Sequence, residues 1–408
     1  MLIEGGGRSG LGMAYSTREP AHLLNVRAEA MSAWPDAPRH FADFFEGDGG
    51  NARGFAERRQ FGRYLLGIRD AAVDSGHVEL VDRAALAARR DDSGWTLSLD
   101  GGREVESSAL ALANGNQPPE PMRAFDGIGA RFVGNPWGEQ AKAAVAALAE
   151  EGGDALLIGT GLTAVDTILS LDAAGHQGRI VALSRRGLVP RGHADFTPAP
   201  AEAGEVPHGD VLALWRWLRR RAGTSGWRAA IDGLRPHSQT LWQALDAEQQ
   251  ARFLRHARPW WDAHRHRIAP EVAGRVRDMV GAGRLEIVAG RIGAVRLAGD
   301  CIEVEIRRRG RREPSPPQKF ACAFNCTGPL GAIGRTRDPL LRGLLEDGAV
   351  RADGLGIGLE VDPRNRAGAG VWALGPLTKG RYWEIVAVPD IREQAAAVAE
   401  DIQMELER

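Results

Sequence analysis

The segment from Asp154 to Gly187 constrains the fold more than any other part of the chain. It predicts a strand at 155–158, a glycine turn, a helix with apolar residues at helical spacing, and a second strand at 180–183. A strand, a helix and a second strand in this order predict a βαβ unit, and therefore a parallel sheet.

The turn inside this unit has the sequence GTGLTA (159–164) and fits the dinucleotide-binding pattern G-x-G-x-x-G/A. Gly159 allows the tight turn, Gly161 lets a pyrophosphate approach the backbone, and Ala164 permits close packing of helix on strand. The first helical residues, including Thr163, offer unpaired N–H groups to the phosphates. We expect a dinucleotide here, and a glycine turn of purely structural use is the alternative.

The residues after the second strand indicate which coenzyme binds. NAD-binding units usually have an acid there, whereas Ser184-Arg185-Arg186 offers guanidinium groups that suit a 2′-phosphate. The sequence therefore favours NADP(H) over NAD(H). A solvated basic turn is the alternative interpretation of Arg185 and Arg186.

Composition narrows the class of protein. The 408 residues carry 52 basic and 53 acidic side chains, so no global charge points to nucleic acid or to an anionic membrane. The sequence has no signal peptide and no apolar run near the roughly 20 residues of a membrane span. Its three cysteines form no metal-ligand pairing and no disulfide framework, which favours a reducing, cytoplasmic setting.

The N-terminus is unusual for a dinucleotide-binding protein. Residues 1–4 look like the end of a strand that closes on an acid, Glu4, and such an acid normally follows the glycine turn by about 20 residues. A glycine-rich stretch follows, with Gly10 and Gly12 in it. We expect the strand, phosphate turn and first helix of a flavin site to be missing, so that the chain holds FAD weakly or not at all. The alternative is that residues 5–10 are themselves the phosphate turn.

Several stretches together resemble the FAD-NAD(P)-binding protein family, whose members are similar to flavoprotein monooxygenases and pyridine-nucleotide reductases. The matching stretches cover nearly the whole chain: LGMAYSTREPAHLLNVRAEAMSAWPDAPRHFADFF, GTGLTAVD, LSRRG, RPWWDAHRHR, FNCTGP and GPLTKGRYWEIVAVPDIREQA. The resemblance implies that the chain binds FAD as well as NADP(H).

The resemblance also implies a set of flavin-side residues. Glu4 matches the ribose-binding acid, and the loop with Asn25 and Ser32 approaches the flavin, although both side chains could instead cap local turns. Two meanders, 77–112 and 285–324, lead to crossover turns at Gly115 and Gly328. The last strand ends at Gly375-Pro376, and Trp383 and Glu384 border the flavin ring.

A helical, tryptophan-rich insert is predicted at about 197–270. We expect a cap whose tryptophans form its core, because its acids balance its bases. Within it, RPWWDAHRHR supplies His264 or His266 as a proton donor and Arg267 as an anion clamp. Histidines with buried structural partners are the alternative, and their spacing argues against a metal site. A separate helix at 55–72 is expected to expose Arg58, Arg59 and Arg63.

These features predict an α/β protein with two Rossmann-like nucleotide-binding domains, meanders and a helical insert. The FAD domain comprises residues 1–120 and 329–408, and the NADPH domain comprises residues 121–328. The expected reaction passes hydride from NADPH to FAD and then electrons to O₂ or a small organic acceptor, as in monooxygenases. A disulfide-type or other pyridine-nucleotide reductase and a non-catalytic NADP-binding module are the alternatives. The substrate and the oligomeric state stay open.

Overall fold

A computed structural model describes residues 1–92, 94–313 and 315–407 of the chain. Its strands are β1 (Leu2–Ile3), β2 (Leu80–Val81), β3 (Ala85–Asp91), β4 (Gly94–Leu99), β5 (Glu104–Ser107), β6 (Leu110–Leu112), β7 (Phe132–Val133), β8 (Ala155–Ile158), β9 (Ile180–Ser184), β10 (Leu285–Ala298), β11 (Cys301–Arg308), β12 (Gln318–Phe320), β13 (Cys322–Asn325), β14 (Arg366–Gly368) and β15 (Val371–Ala373).

The helices are α1 (Gly12–Tyr15), α2 (His40–Gly47), α3 (Arg58–Asp74), α4 (Glu139–Glu151), α5 (Leu162–Ala173), α6 (Val211–Ser225), α7 (Trp227–Leu234), α8 (Ser238–Gln243), α9 (Ala247–Arg252), α10 (Arg258–Arg265), α11 (Pro270–Gly281), α12 (Pro339–Glu346) and α13 (Val388–Leu406). Six of the helices, α6 to α11, follow one another between β9 and β10. Among the described residues, no helix is long and apolar enough to span a membrane.

The largest sheet has seven strands in the order β12-β11-β10-β9-β8-β13-β7. Every residue of β8 is buried, as expected for a parallel strand covered on both faces. Strands β8 and β9 pair in parallel and α5 packs its buried face on them, so the predicted βαβ unit is confirmed. All seven strands lie between Phe132 and Asn325, within the segment predicted to form the NADPH domain.

Strand β10 links the parallel and antiparallel parts of this sheet. Its first five residues pair in parallel with β9, and residues from Gly290 onward pair antiparallel with β11. A bulge lies between Ile292 and Val295. Side chains of a strand alternate between the two faces, so this register decides which residues of β10 and β11 face the helices.

The remaining strands form three small sheets. Strand β1 pairs in parallel with β2, β3-β4-β5 is an antiparallel meander, and β15 lies between β14 and β6. They share a core with α12, built around Trp95, Leu112, Leu341 and Val371. Both meanders predicted from the sequence are therefore present.

Helices α6 to α10, with a π-helical turn at Phe253–Ala257, form the helical insert. Buried Leu218, Ile231, Leu241 and Trp261 make its core, and further tryptophans pack around them. The predicted helical insert is confirmed. Trp242 and Trp261 are buried in it, whereas Trp215, Trp217 and Trp227 are partly buried and Trp260 is exposed.

The sequence prediction for Arg58 was wrong. Arg59 and Arg63 are partly exposed and pair with nearby acids, but the Arg58 side chain is only 11% exposed and its Nη2 lies 3.0 Å from Oδ1 of Asp166 in α5. It also donates to the carbonyl oxygen of Leu23. Helix α3 begins against α5, so its first arginine is desolvated there and paired.

Candidate functional site: two glycine-turn regions

The phosphate turn lies at the carboxyl end of β8. Gly159 has φ of +125°, and a Cβ there would collide with the backbone carbonyl of Cys326, so only glycine fits. Gly161 has nothing within 4 Å of a Cβ position, and the space beside its backbone is therefore open. Ala164 is completely buried, as close helix packing requires.

Helix α5 starts directly after this turn. Its N-cap is Gly161, and no side chain caps the helix. The N–H groups of its first turn, including that of Thr163, therefore point to the open space with the positive end of the helix dipole. This arrangement fits the pyrophosphate of a dinucleotide.

The arginine pair follows β9 beside this turn. The Oγ of Ser184 accepts hydrogen bonds from the Gly187 N–H at 3.0 Å and from the Thr160 hydroxyl at 2.8 Å, which closes the loop. Arg185 is exposed and Arg186 half-buried, and neither makes an ion pair with any residue that the structure describes. The turn thus presents two unpaired cations where the sequence predicts a 2′-phosphate.

A second region brings three glycine turns together. Gly115 after β6, Gly328 after β13 and Gly375 after β15 all have positive φ, between +59° and +89°. A cleft of about 280 Å³ is lined by Gly115, Pro329 and Pro376, among others. The cleft is open to solvent on one side, and flavin binding there stays a prediction.

Lys379 also lines this cleft, and the sequence analysis did not single it out. Its ammonium lies 3.3 Å from Oδ1 of Asn116. Burial, together with the nearby charge of Arg258, lowers the pKa of Lys379 to about 8. The sequence feature that could have drawn attention to Lys379 is its position three residues after Pro376, at the end of the last predicted strand.

Buried polar contacts fix the backbone around Gly375. Oε1 of Gln394, in α13, accepts from the Gly375 N–H at 2.7 Å, while its Nε2 donates to Asn365 and to Thr378. Helix α13 itself begins without a side-chain cap. In its first turn Pro389 has no N–H, and the N–H groups of Asp390 and Ile391 donate to the Ala387 carbonyl oxygen.

Trp383 and Glu384 lie in the interface between the C-terminal segment and the helical insert. The Trp383 ring stacks on Trp242 at a centroid distance of 5.0 Å. The Glu384 carboxylate accepts from the Trp261 indole N–H and lies 3.2 Å from Nε of Arg265. Glu384 is buried and has φ of +70°. Because both partners of its carboxylate belong to the insert, the side chain joins the C-terminal segment to the insert. Contact between Glu384 and a flavin stays a prediction.

The three candidate catalytic residues point in different directions. Nδ1 of His264 lies 2.8 Å from the carbonyl oxygen of Trp260 in its own helix. Burial lowers the pKa of His266, whose Nε2 lies 4.0 Å from Glu384. Arg267 is buried and pairs with Asp232. Each side chain makes a structural contact, and a catalytic role for the set stays a prediction.

At the N-terminus, Oε2 of Glu4 accepts the backbone N–H of Arg8 at 2.7 Å. Gly10 and Gly12 have positive φ, and α1 has only four residues. The alternative that residues 5–10 form a phosphate turn lacks the amphipathic helix it requires. Ribose binding by Glu4 stays a prediction.

Asn25 and Ser32 occupy different surroundings. Ser32 is fully buried and its hydroxyl donates to the carbonyl oxygen of Ala37 at 2.7 Å, which is the local turn role. Asn25 lines a second cleft of about 250 Å³, together with Arg58, Asp166 and Ile268. This cleft lies between the N-terminal segment and the Rossmann unit.

The structure has the predicted fold class, an α/β protein with Rossmann-like domains, meanders and a helical insert. Residues 1–117 match the model of a family described as FAD-NAD(P)-binding, which confirms the resemblance seen in the sequence. A comparison with curated proteins finds no match.

Three solved structures share the fold over nearly the whole chain. The ornithine hydroxylase of Pseudomonas aeruginosa is 14% identical with a TM-score of 0.64, and the match covers 99% of this chain and 91% of the hydroxylase chain. The L-lysine 6-monooxygenase of Pseudomonas syringae is 17% identical with a TM-score of 0.66, and the match covers 98% of this chain and 90% of that one. The FAD-bound cadaverine monooxygenase of Erwinia amylovora is 11% identical with a TM-score of 0.67, and the match covers 98% of this chain and 88% of that one.

Proposed function

We propose that this protein is an FAD- and NADPH-dependent monooxygenase that hydroxylates a primary amine of a small aliphatic substrate. The observation that carries the proposal is the complete phosphate turn with unpaired arginines beside it, set in a fold shared with amine monooxygenases over 98–99% of the chain. Ornithine, lysine and cadaverine each carry a primary amine on an aliphatic chain.

In this proposal one site binds NADPH and the other binds FAD. Gly161 and the start of α5 bind the pyrophosphate of NADPH, and Arg185 and Arg186 select its 2′-phosphate. The cleft between Gly115, Gly328 and Gly375 holds part of the flavin nucleotide, with Lys379 at its wall. Bound FAD would supply the chemistry: it accepts a hydride from NADPH and delivers electrons to O₂.

The reductase alternative is disfavoured by the cysteines. A dithiol reductase needs a reactive thiolate, yet Cys322 and Cys326 are buried and desolvation raises the pKa of each thiol to about 12. The third cysteine, Cys301, is the first residue of β11, which is separated from β13, the strand of Cys322, by three other strands of the sheet.

The test supplies the protein with excess FAD, NADPH and a panel of ornithine, lysine, cadaverine and their N-acetylated forms. We expect NADPH oxidation coupled to formation of a hydroxylamine from one free amine and no product from its acetylated form. NADPH oxidation that no amine accelerates, with hydrogen peroxide as the sole product, would contradict the proposal and favour an oxidase.

A further inference from the structure

Three arginines outside the predicted phosphate site share one face of the sheet beside it. Arg291 follows the parallel part of β10, while Arg307 lies in β11 and Arg309 follows it. All three are exposed, and none makes an ion pair with any other described residue. Arg291 and Arg307 are register partners, and like charges directly opposite each other on antiparallel strands are destabilising.

The strand register places these side chains on a common face. Arg291 is directly opposite Arg307, and the Arg309 N–H donates to the Ala289 carbonyl oxygen at 2.8 Å, which continues the same pairing. The neighbouring pair Ile292 and Ile306 faces the opposite side of the sheet, where Ile306 is fully buried. Because side chains alternate along a strand, the three arginines face the side on which α5 packs.

The loop with Arg185 and Arg186 lies on that same face. A Cβ at Gly187 would stand 3.2 Å from the Cβ of Ala289, so this turn rests on Ala289. Ala289 is opposite Arg309 and two residues before Arg291 on the same face. Residues two apart on a strand are separated by about 7 Å, within reach of an arginine side chain.

We propose that Arg291, Arg307 and Arg309 complete, with Arg185 and Arg186, a pocket for the 2′-phosphate of the coenzyme. The inference rests on the proposed use of NADPH and extends it to two strands that lie outside the βαβ unit. A 2′-phosphate would neutralise the repulsion between the facing arginines, and guanidinium groups bind phosphate through paired N–H donors.

Arg308 provides a matched control in the same strand. It lies between Arg307 and Arg309, faces the other side of the sheet and pairs with Glu286 at 2.6 Å. Replacing it removes one positive charge from nearly the same place in the chain without touching the proposed pocket. Methionine is the replacement in every variant, because it retains much of the apolar stem of arginine.

The experiment measures binding of adenosine 2′,5′-bisphosphate and adenosine 5′-monophosphate by calorimetry, with FAD present. For Arg307→Met/Arg309→Met we expect the bisphosphate Kd to rise about tenfold or more, the monophosphate Kd to change less than threefold, and Arg308→Met to leave both nearly unchanged. Circular dichroism verifies that each variant is folded.

Three results would overturn the inference. An unchanged bisphosphate Kd in the folded double variant would remove these arginines from the pocket while leaving the coenzyme proposal intact, and so would an equal loss in Arg308→Met. If the unmodified protein binds both nucleotides equally, the preference for NADPH itself is wrong and the inference fails with it.

Discussion

The phosphate turn after β8 and the cleft between Gly115, Gly328 and Gly375 are built in different ways. The turn, its helix and its arginines come from one continuous segment, 155–187, within a seven-stranded sheet. The cleft is assembled from three distant segments: those after β6 and β15 belong to one small sheet, and the one after β13 belongs to the seven-stranded sheet. Contacts that are local in sequence can be inferred from spacing, whereas those in the cleft depend on how distant segments pack.

The strongest way to test this comparison is to replace the two glycines of the turn. Gly159→Ala forces a Cβ into the Cys326 carbonyl at positive φ, so we expect loss of soluble folded protein. Gly161→Val places its side chain in open space, so we expect a folded protein that no longer binds NADPH. Thermal unfolding and calorimetry distinguish the two outcomes. A folded Gly161→Val variant with unchanged NADPH affinity would mean that the coenzyme binds elsewhere.

The buried ion pair between Arg58 and Asp166 joins the N-terminal segment to the Rossmann unit. Arg58→Met leaves Asp166 buried and unpaired, which should lower the free energy of unfolding by about 3–5 kcal/mol. Adding Asp166→Asn should restore much of that loss, and urea unfolding of both variants measures the difference. Equal stability of Arg58→Met and the unmodified protein would show that this contact contributes little.

Replacing Arg185 and Arg186 together with alanine should raise the KM for NADPH far more than that for NADH. A charged contact to the 2′-phosphate is worth roughly 1.5–3 kcal/mol, which corresponds to about a 10- to 100-fold change. Steady-state kinetics with both coenzymes provides the measurement. Equal activity of the unmodified protein with NADH and NADPH would contradict the assignment.

The smallest expected effect concerns the C-terminal helix beside the cleft. Hydrogen bonds from Arg366, and from the indole of Trp372, lower the pKa of Asp401 to about 2, from an ordinary value of 3.8. The stabilisation that ionised Asp401 gives the folded state is therefore fully present above about pH 4 and is lost as the pH falls through about 2. Asp401→Asn should flatten the acid limb of the stability curve, measured by urea unfolding at each pH. An unchanged acid limb would mean that Asp401 is not held by this pair.

Most of the fold was predictable because hydrophobic periodicity and glycine turns mark its elements. The βαβ unit, both meanders and the helical insert lie close to their predicted ranges. The contacts that individual side chains make were less predictable. Glu384 pairs with Arg265 and Arg58 pairs with Asp166, and each of these partners is more than 100 residues away in the chain. Ser32 instead hydrogen-bonds within its own turn, and its burial could not be inferred from spacing.

Lys379 and the arginines of β10 and β11 illustrate the same limit. Arg291 and Arg307 are separated by 16 positions in the chain and meet only because the strands pair antiparallel. A run of basic residues in a sequence usually indicates a solvated face, and only the register places these arginines on the strand face where Ala289 contacts Gly187.

The account depends centrally on electron transfer from NADPH to a flavin held by this chain. The most direct measurement adds NADPH, in the absence of oxygen, to the protein with excess FAD, and compares it with the same FAD without protein. We predict loss of the visible flavin absorbance, much faster with NADPH than with NADH, and its return when O₂ is admitted. Flavin absorbance that NADPH lowers no faster with the protein than without it would contradict the account.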